Sequence, residues 1–567
     1  MSLIGTLNIG KTALAATQAA IQTTSNNIAN AGNADYTRQL ARLSPGRDQV
    51  VRGGFFVGTG VELTAIQRQI DEALESRIRA SVADDEAGQL TEQWLGRVEA
   101  VFNELSDQDL STQLSSFFNS WSDLANKPQD IGLRQVVLQN GRSLAHWFQT
   151  VRTQLASLRG DADARLGALT QDADTLAQKV ASLNAEIVQA EAGGNGQANA
   201  LRDQRDAVLK QLSSLVDVRT QEQASGIIDV YVGSEPLVVA TTSRGAALKQ
   251  EVVEENLLTS VTFRATGGVM KLDGKGQLGA LSDIRAQIDS VIAEVDRIAG
   301  ATIFELNKLH AAGQGLEGFA AVTSTANVAD PTAALNAAAA DLDFAPSNGS
   351  FVVHVKDKAT GLVTSTLVQV DLDGLDGDDT TLNSLAADLD AIASVGASVN
   401  GGRLRVAADS GAVEISFSQD SSGVLAAMGI NAFFAGSDAR DIAVNAALNE
   451  RPQLLAAARN GQSGDNQTAR AIAELERTAI RSLGGQTLKG TYESMINGVA
   501  SRSSTARGNA EAARAVRETL ETQREVLSGV SMDEEAINLM KYQRAYQGAA
   551  RVVAAIDELM QTVLQLV

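Results

Sequence analysis

The sequence predicts a mainly α protein with β-rich inserted domains. Three observations carry that reading. Apolar residues recur at three- and four-residue spacing near both ends and through much of the middle of the chain. There are only 6 prolines in 567 residues, so long helices can run without forced breaks. Runs of β-branched and aromatic residues bounded by turn residues are confined to interior stretches. Aromatics are 4% of the chain and many apolar positions are alanine, which suits closely packed helices.

The N-terminal helix is predicted over residues 3–30. Leu7, Leu14, Ile21 and Ile28 recur every seven residues, with Ala13, Ala20 and Ala31 beside them. Lys11 is the sole charge before Asp35, and Asn30-Ala31-Gly32-Asn33 supplies the stop. Helices follow over 66–118 and 129–158, with Trp94, Leu95, Val98, Val101, Phe102, Phe117, Phe118, Trp121, Trp147 and Phe148 as core. A heptad helix over 161–190 and a return helix through Leu201, Val208, Leu212 and Leu215 make a helical hairpin turning at Gly193-Gly194-Asn195-Gly196.

Strands are predicted at 227–232, 237–239 and 261–263, and a helix at 278–310 carries Leu281, Ile284, Ile288, Val291, Val295 and Ile298 in register. Residues 345–440 read as a separate α+β insertion. Its strands fall at 351–355, 367–370, 404–406 and 413–417, with a helix from Thr381 to Val395. The segment 466–528 is again helical, broken near Gly484-Gly485.

The C-terminal helix has the strongest pattern. Leu539, Tyr546, Val553, Met560 and Val567 form one seven-residue series, and Tyr542, Ala549, Ile556 and Val563 the interleaved one. That alternation is the a/d seam of a left-handed coiled coil. A third row, Ala545, Val552, Leu559 and Leu566, widens the apolar arc beyond what two strands need. Glu558 is the last charge, so nothing holds the final turns in water. Such a helix caps an ordinary core, or it awaits partners. Two apolar helices at opposite ends of the chain favour a filament-type assembly.

The domain plan expected from these elements has seven segments. Residues 1–65 hold the N-terminal helix and its following loop. Residues 66–217, 276–344 and 441–525 build a long helical bundle from both chain halves. Residues 218–275 are a β-rich insertion and 345–440 the outer α+β insertion. Residues 526–567 are the C-terminal coiled-coil helix.

Composition narrows the function classes. A net charge of −21 argues against nucleic acid as a partner, because duplex binding needs Lys and Arg to displace phosphate counterions. Without cysteine there is no disulfide, thiolate metal site or cysteine nucleophile. No basic region precedes an apolar core at the N-terminus, so no cleaved secretory signal is expected, and no apolar run suits a membrane span. Gly5-Thr6-Leu7-Asn8-Ile9-Gly10-Lys11-Thr12 matches the phosphate-loop pattern of nucleotide hydrolases. Its context rejects the match: only four residues precede Gly5, where a buried strand is required, and the Leu7–Leu14 seam treats the stretch as helix. Asp371, Asp373, Asp376, Asp378 and Asp379 crowd a turn, yet Asp376 stands where a calcium loop needs glycine. The three histidines are scattered, with structural roles expected for His146 and His310. No catalytic, cofactor or metal site is expected.

Two stretches carry a family resemblance. Ser25-Asn26-Asn27-Ile28-Ala29-Asn30-Ala31-Gly32-Asn33-Ala34-Asp35-Tyr36-Thr37-Arg38-Gln39 resembles the N-terminal signature of the flagellar rod, hook and hook-associated protein family. Its Tyr-Thr-Arg-Gln ending resembles the hook-associated branch at the first hook–filament junction. Ser528-Gly529-Val530-Ser531-Met532-Asp533-Glu534-Glu535-Ala536-Ile537-Asn538-Leu539 and Tyr542-Gln543-Arg544-Ala545-Tyr546 resemble its C-terminal counterpart. Leu201-Arg202-Asp203-Gln204-Arg205-Asp206 and Gly276-Gln277-Leu278-Gly279-Ala280-Leu281 agree as well. The resemblance covers about 1–320 and 445–567, not the 345–440 insertion. Asp35 departs from it, standing where the family commonly has glycine.

The resemblance implies a structural protein, exported unfolded through the flagellar type III channel, whose terminal helices pair in an inner tube. The implied partners are other copies in a ring, the hook protein below, the second junction protein (hook-associated protein 3) above, and a cytoplasmic export chaperone before secretion. The expected assembly residues are Leu7, Leu14, Ile21, Asn26, Asn27, Ile28, Asn30, Tyr36, Arg38, Gln39, Leu539, Tyr542, Tyr546, Val553, Ile556, Met560 and Val563. The asparagines are expected to satisfy backbone groups at the helix end, or simply to stop the helix. Competing readings are another axial protein (hook protein or flagellin-like), a phosphate-loop enzyme, and an adhesin exposing the insertion.

Overall fold

A computed structural model describes residues 3–51, 55–102, 109–193, 196–253, 256–375, 377–462 and 464–565. The chain opens with α1 (Leu3–Ala29), then β1 (Gln39–Pro45), β2 (Gln49–Val51), β3 (Phe55–Val57) and β4 (Val61–Arg68). Four helices follow: α2 (Glu72–Val101), α3 (Leu110–Asn126), α4 (Ile131–Glu191) and α5 (Asn199–Leu215). Next come β5 (Val218–Glu222), β6 (Ile228–Val232), β7 (Glu235–Val239), β8 (Thr242–Ser243), β9 (Ala246–Val253) and β10 (Asn256–Phe263), then α6 (Gly276–Ala311). A mixed stretch holds β11 (Ala321–Thr323), β12 (Gly349–Asp357), β13 (Val363–Val370), α7 (Leu382–Asp390), β14 (Val395–Asn400), β15 (Arg403–Ala408) and β16 (Val413–Ser418). The chain closes with α8 (Val424–Met428), β17 (Phe434–Ala435), β18 (Ala443–Val444), α9 (Ala446–Glu450), α10 (Gln467–Glu474), α11 (Leu488–Ser528) and α12 (Met532–Gln565).

These elements form two compact units. The first joins Met1–Trp94, Asp161–Arg285 and Ser504–Val567. Here α1 packs on α12. Leu74, Ile78 and Val82 of α2 meet Leu520 of α11 in a buried cluster. Asp85 and Arg517 pair across the same helices at 2.9 Å. A Cβ on Gly88 would lie 3.0 Å from the Ala510 Cα, so these two helices touch nearly backbone to backbone. The antiparallel sheet β5-β6-β7-β8 is tied to α4 by Asn184, whose amide donates to the Ile228 and Ala240 carbonyls at 2.8 and 2.7 Å.

The second unit joins Leu95–Gly160 and Ala286–Ser503. Phe117, Trp121, Phe433 and Phe434 make its aromatic core by edge and tilted contacts. Buried His310 sits against Trp121 and Phe433; its Nδ1 contacts the Asn431 carbonyl at 2.7 Å, and its Nε2 accepts the Ala456 amide at 3.0 Å. That set of partners requires the neutral ring, and burial pushes its pKa down to about 4. In the same unit β13-β12-β16 and β11-β15-β14 form two antiparallel sheets, with Phe351, Val353, Leu404, Val406 and Phe417 buried. The Phe319 backbone bridges to Ile415 of β16 just before β11 begins.

Several expectations need correction. The described residues of 39–68, read as loop to 65 and as helix from 66, form antiparallel ribbons: β1 with β4, and β2 with β3. Their faces are half-exposed and carry arginines, so the hydrophobic alternation that marks a buried strand is missing. The helix expected over 66–118 is strand to Arg68, then α2 and α3; residues 103–108 lie outside the described residues. The helices expected over 129–158 and 161–190 are one continuous α4. Gly160 weakens it by about 1 kcal/mol, which burial of Leu155, Leu158, Ala162 and Leu166 outweighs. The helix from Thr381 ends at Asp390, and Ser394 takes a positive φ of 65° before Val395 opens β14. Thr381 starts it with a capping box shared with Ser384. Gly5–Thr12 is helical within α1, and the Thr12 hydroxyl donates to the Ile9 carbonyl, so no phosphate-cradling loop exists there. Of the predicted core, Val101 and Trp147 are only half-buried, and His146 is exposed. Gly194, Asn195, Asp376, Leu566 and Val567 lie outside the described residues.

Candidate assembly site

The two terminal helices meet antiparallel. A Cβ added to Gly10 would lie 2.6 Å from the Val553 Cγ2, while at the other end Asn27 reaches Glu535. This register sets Leu7 opposite the turn holding Ile556 and leaves the last residues of α12 beyond the start of α1. Leu564 is accordingly 78% exposed.

The face that α1 buries differs from the one periodicity suggests. Gly10, Ala16, Thr17, Ala20, Thr23, Thr24 and Asn27 are buried. Leu7, Leu14, Ile21 and Ile28 are half-buried at its flank. Small residues win the central positions because they let the helix backbones approach; a leucine there would hold them apart. On α12, Ile556 is buried, and Leu539, Tyr542, Val553 and Met560 are half-buried. Tyr546 and Val563 are exposed. The third row is open as well: Val552 is 45% and Leu559 54% exposed.

At the α1 C-terminus the side chains form a polar knot. Asn27 is 1% exposed and uses both ends of its amide. Its Nδ2 donates to the Gln39 carbonyl and to Glu535 Oε2, each at 2.9 Å. Its Oδ1 accepts the Tyr36 hydroxyl at 2.7 Å and the Gln39 amide at 3.1 Å. Asn26 donates to the Tyr36 oxygen, and Asn30 donates back to the Asn26 carbonyl at 2.9 Å. Arg38 completes the knot with Nε and Nη2 on Glu535 Oε1 at 3.0 and 2.7 Å and Nη1 on Glu534 at 2.8 Å. The Arg38 amide donates to the Ser528 carbonyl, at the end of α11. Glu535 is 1% exposed, and both of its carboxylate oxygens are engaged, as a buried carboxylate requires.

A second ring of contacts ties this loop to α5. The Gln39 side-chain oxygen accepts from Asn199, and the Thr37 amide points at Asp203. Arg68 bridges Asp203 and Asp206 at 2.9 and 2.6 Å. Burial pushes the Asp203 carboxyl up, against the opposing pull of Arg68. Burial, with Asp203 nearby, also pushes the Tyr36 phenol up to about 12, so it remains a donor at all physiological pH values.

The polar residues expected at the assembly surface (Asn26, Asn27, Asn30, Tyr36, Arg38 and Gln39) therefore converge within one chain. They fix where α1 ends relative to α5, α11 and α12. Sequence reasoning did not select Glu535, Asp203, Asp206, Arg68 or Asn199. One signal was available: the two terminal signatures carry opposite charges, Arg38 in one and the Glu534-Glu535 pair in the other.

Residues 95–323 match the flagellar hook-associated protein FlgK helical domain, and residues 527–566 match the flagellar basal body rod FlgEFG protein C-terminal region. Flagellar hook-associated protein 1 of Escherichia coli K12 is 24% identical over 570 residues, covering 99% of both chains. Its namesake in Salmonella typhimurium is 26% identical over 579 residues, again at 99% of both. The Bacillus subtilis namesake is 25% identical, covering 98% of this chain and 97% of its own. The solved flagellar hook junction protein FlgK from Burkholderia pseudomallei shares the fold at a TM-score of 0.50 and 14% identity, over 80% of this chain and 100% of its own.

Proposed function

We propose, from the premise that this chain resembles flagellar hook-associated protein 1 over 99% of both chains and has a structural role in the flagellum, that it is the subunit that joins hook to filament. It leaves the cell unfolded through the type III channel and polymerises through α1 and α12. Copies form a ring within the axial structure, with hook protein on one side and hook-associated protein 3 on the other. An export chaperone covers the C-terminal region before secretion. The insertion at 345–440 faces outwards.

The observation that carries this reading is the unfinished surface of the terminal pair. One face of α12 is spent on α1, yet Val552, Leu559 and Val563 stay open to water, and no charge follows Glu558. Burying a large apolar side chain is worth about 1.5–3 kcal/mol, so covering this row with sister helices drives association. The Arg38–Glu535 knot sets the pair's position on each subunit, so copies present the same surface.

Deleting residues 540–567 tests the reading. The expected product is a folded, soluble monomer, and cells carrying it make hooks without attached filaments while flagellin accumulates in the medium. Normal attached filaments would contradict it.

A further inference from the structure

We infer that the open edge of β13 receives an added strand from another protein: an extended segment of alternating β-branched residues, led by lysine or arginine. Three observations point there.

The first is an edge without guards. β13 pairs with β12 alone, and its sequence, Val363-Thr364-Ser365-Thr366-Leu367-Val368-Gln369-Val370, has no charge, proline or glycine. Among the described residues, no backbone hydrogen bond outside the β12 ladder reaches it. Leu362, Val363 and Leu367 are 69%, 48% and 57% exposed. Folded proteins blunt such edges with lysine, proline, bulges or covering helices, because unpaired N–H and C=O groups template strand addition.

The second is contrast within the same unit. The outer strand β14 is guarded: α7 packs beside it, and Asp390 accepts the Ala397 amide at 2.9 Å. The far side of β16 is closed by Phe319, which exchanges two backbone hydrogen bonds with Ile415 at 2.7 and 2.9 Å. Among the described residues of this unit, β13 is the longest outer strand with no strand or bridge on its open side.

The third is charge. A strand added antiparallel brings its N-terminal end beside Val370 and the turn that follows. There the carboxylates of Asp371, Asp373 and Asp379 come within 4.8 Å of one another. This rim selects a cationic leader. The strand lies outside both matched family domains, 95–323 and 527–566, so its partner need not be shared by the relatives.

The test uses the full chain and three fluorescent decapeptides, read by anisotropy. One has two lysines followed by alternating valine and threonine. The second replaces the lysines with glutamates. The third is the lysine peptide N-methylated on alternate amides, which removes ladder donors but keeps charge. The lysine peptide should bind at least about tenfold more tightly than either control. Val363→Lys with Leu367→Lys should lower its affinity about tenfold while filaments stay attached to hooks, which separates this inference from the junction role. Asp371→Asn, Asp373→Asn and Asp379→Asn together alter no strand residue, and should erase the lysine–glutamate difference. Equal binding of the N-methylated peptide, no saturation by the lysine peptide at millimolar concentration, or a dimer of the chain abolished by Leu367→Lys would overturn the inference.

Discussion

Glu535 and Arg38 sit 497 positions apart and yet share two hydrogen bonds in a nearly dry site. Removing one member of such a pair strands the other, at a cost of about 3–5 kcal/mol. Glu535→Ala should therefore destabilise the first unit strongly, since the Asn27 amide loses an acceptor too. Arg38→Ala should cost less, because Glu535 keeps Asn27 and Arg38 is the more exposed partner. Urea unfolding of both single variants and the double should give a coupling of at least ~1 kcal/mol; additive losses would mean the two side chains act independently. The N-terminal half of this knot was legible in the sequence, because Asn26, Asn27, Tyr36, Arg38 and Gln39 stand close together in one signature. Its C-terminal half was not: no local pattern announces which distant carboxylate will meet a lone arginine.

Among the elements, the α1–α12 pair shows how far periodicity reaches. The seven-residue spacing located both helices, while the positions that α1 buries most deeply lie beside the leucine stripe, which is half-buried at its flank. The buried side is the one with glycine, alanine and threonine, whose short side chains carry little hydrophobic signal. At Gly10 an added Cβ would lie 2.6 Å from the Val553 Cγ2, so the helices approach closely there. Gly10→Leu should splay the helices at Val553 and destabilise them by about 1–3 kcal/mol, with Val553→Ala restoring part of the loss. Amide exchange across α12 measures both effects; unchanged protection in Gly10→Leu would show that the close approach is unimportant. The same limit of periodicity hid the ribbons over 39–68. There two narrow two-stranded ribbons, half-exposed on their faces, leave no alternation to read. In α4 the opposite happened: the helices read separately over 129–158 and 161–190 are one, held by packing on both sides of Gly160.

Over the whole molecule, both compact units are assembled from distant parts of the chain, and the two ends return to one place in the first of them. Mainly helical character, β-rich insertions and terminal pairing were all legible from spacing and composition. The resemblance to the flagellar axial proteins was legible from the two terminal signatures. Packing partners were not, because contacts between α2 and α11, or between Arg68 and α5, depend on a topology that one-dimensional spacing does not encode. What remains for function is the apolar row left over after the chain has folded.

That row can be watched directly, since the chain has no cysteine of its own. Leu559→Cys places a single thiol on the open face of α12, where a maleimide dye reports its exposure. The thiol should label readily in the secreted monomer and become protected in intact flagella, as neighbouring helices cover it. Equal labelling in both states would contradict the claim that this face is where subunits join.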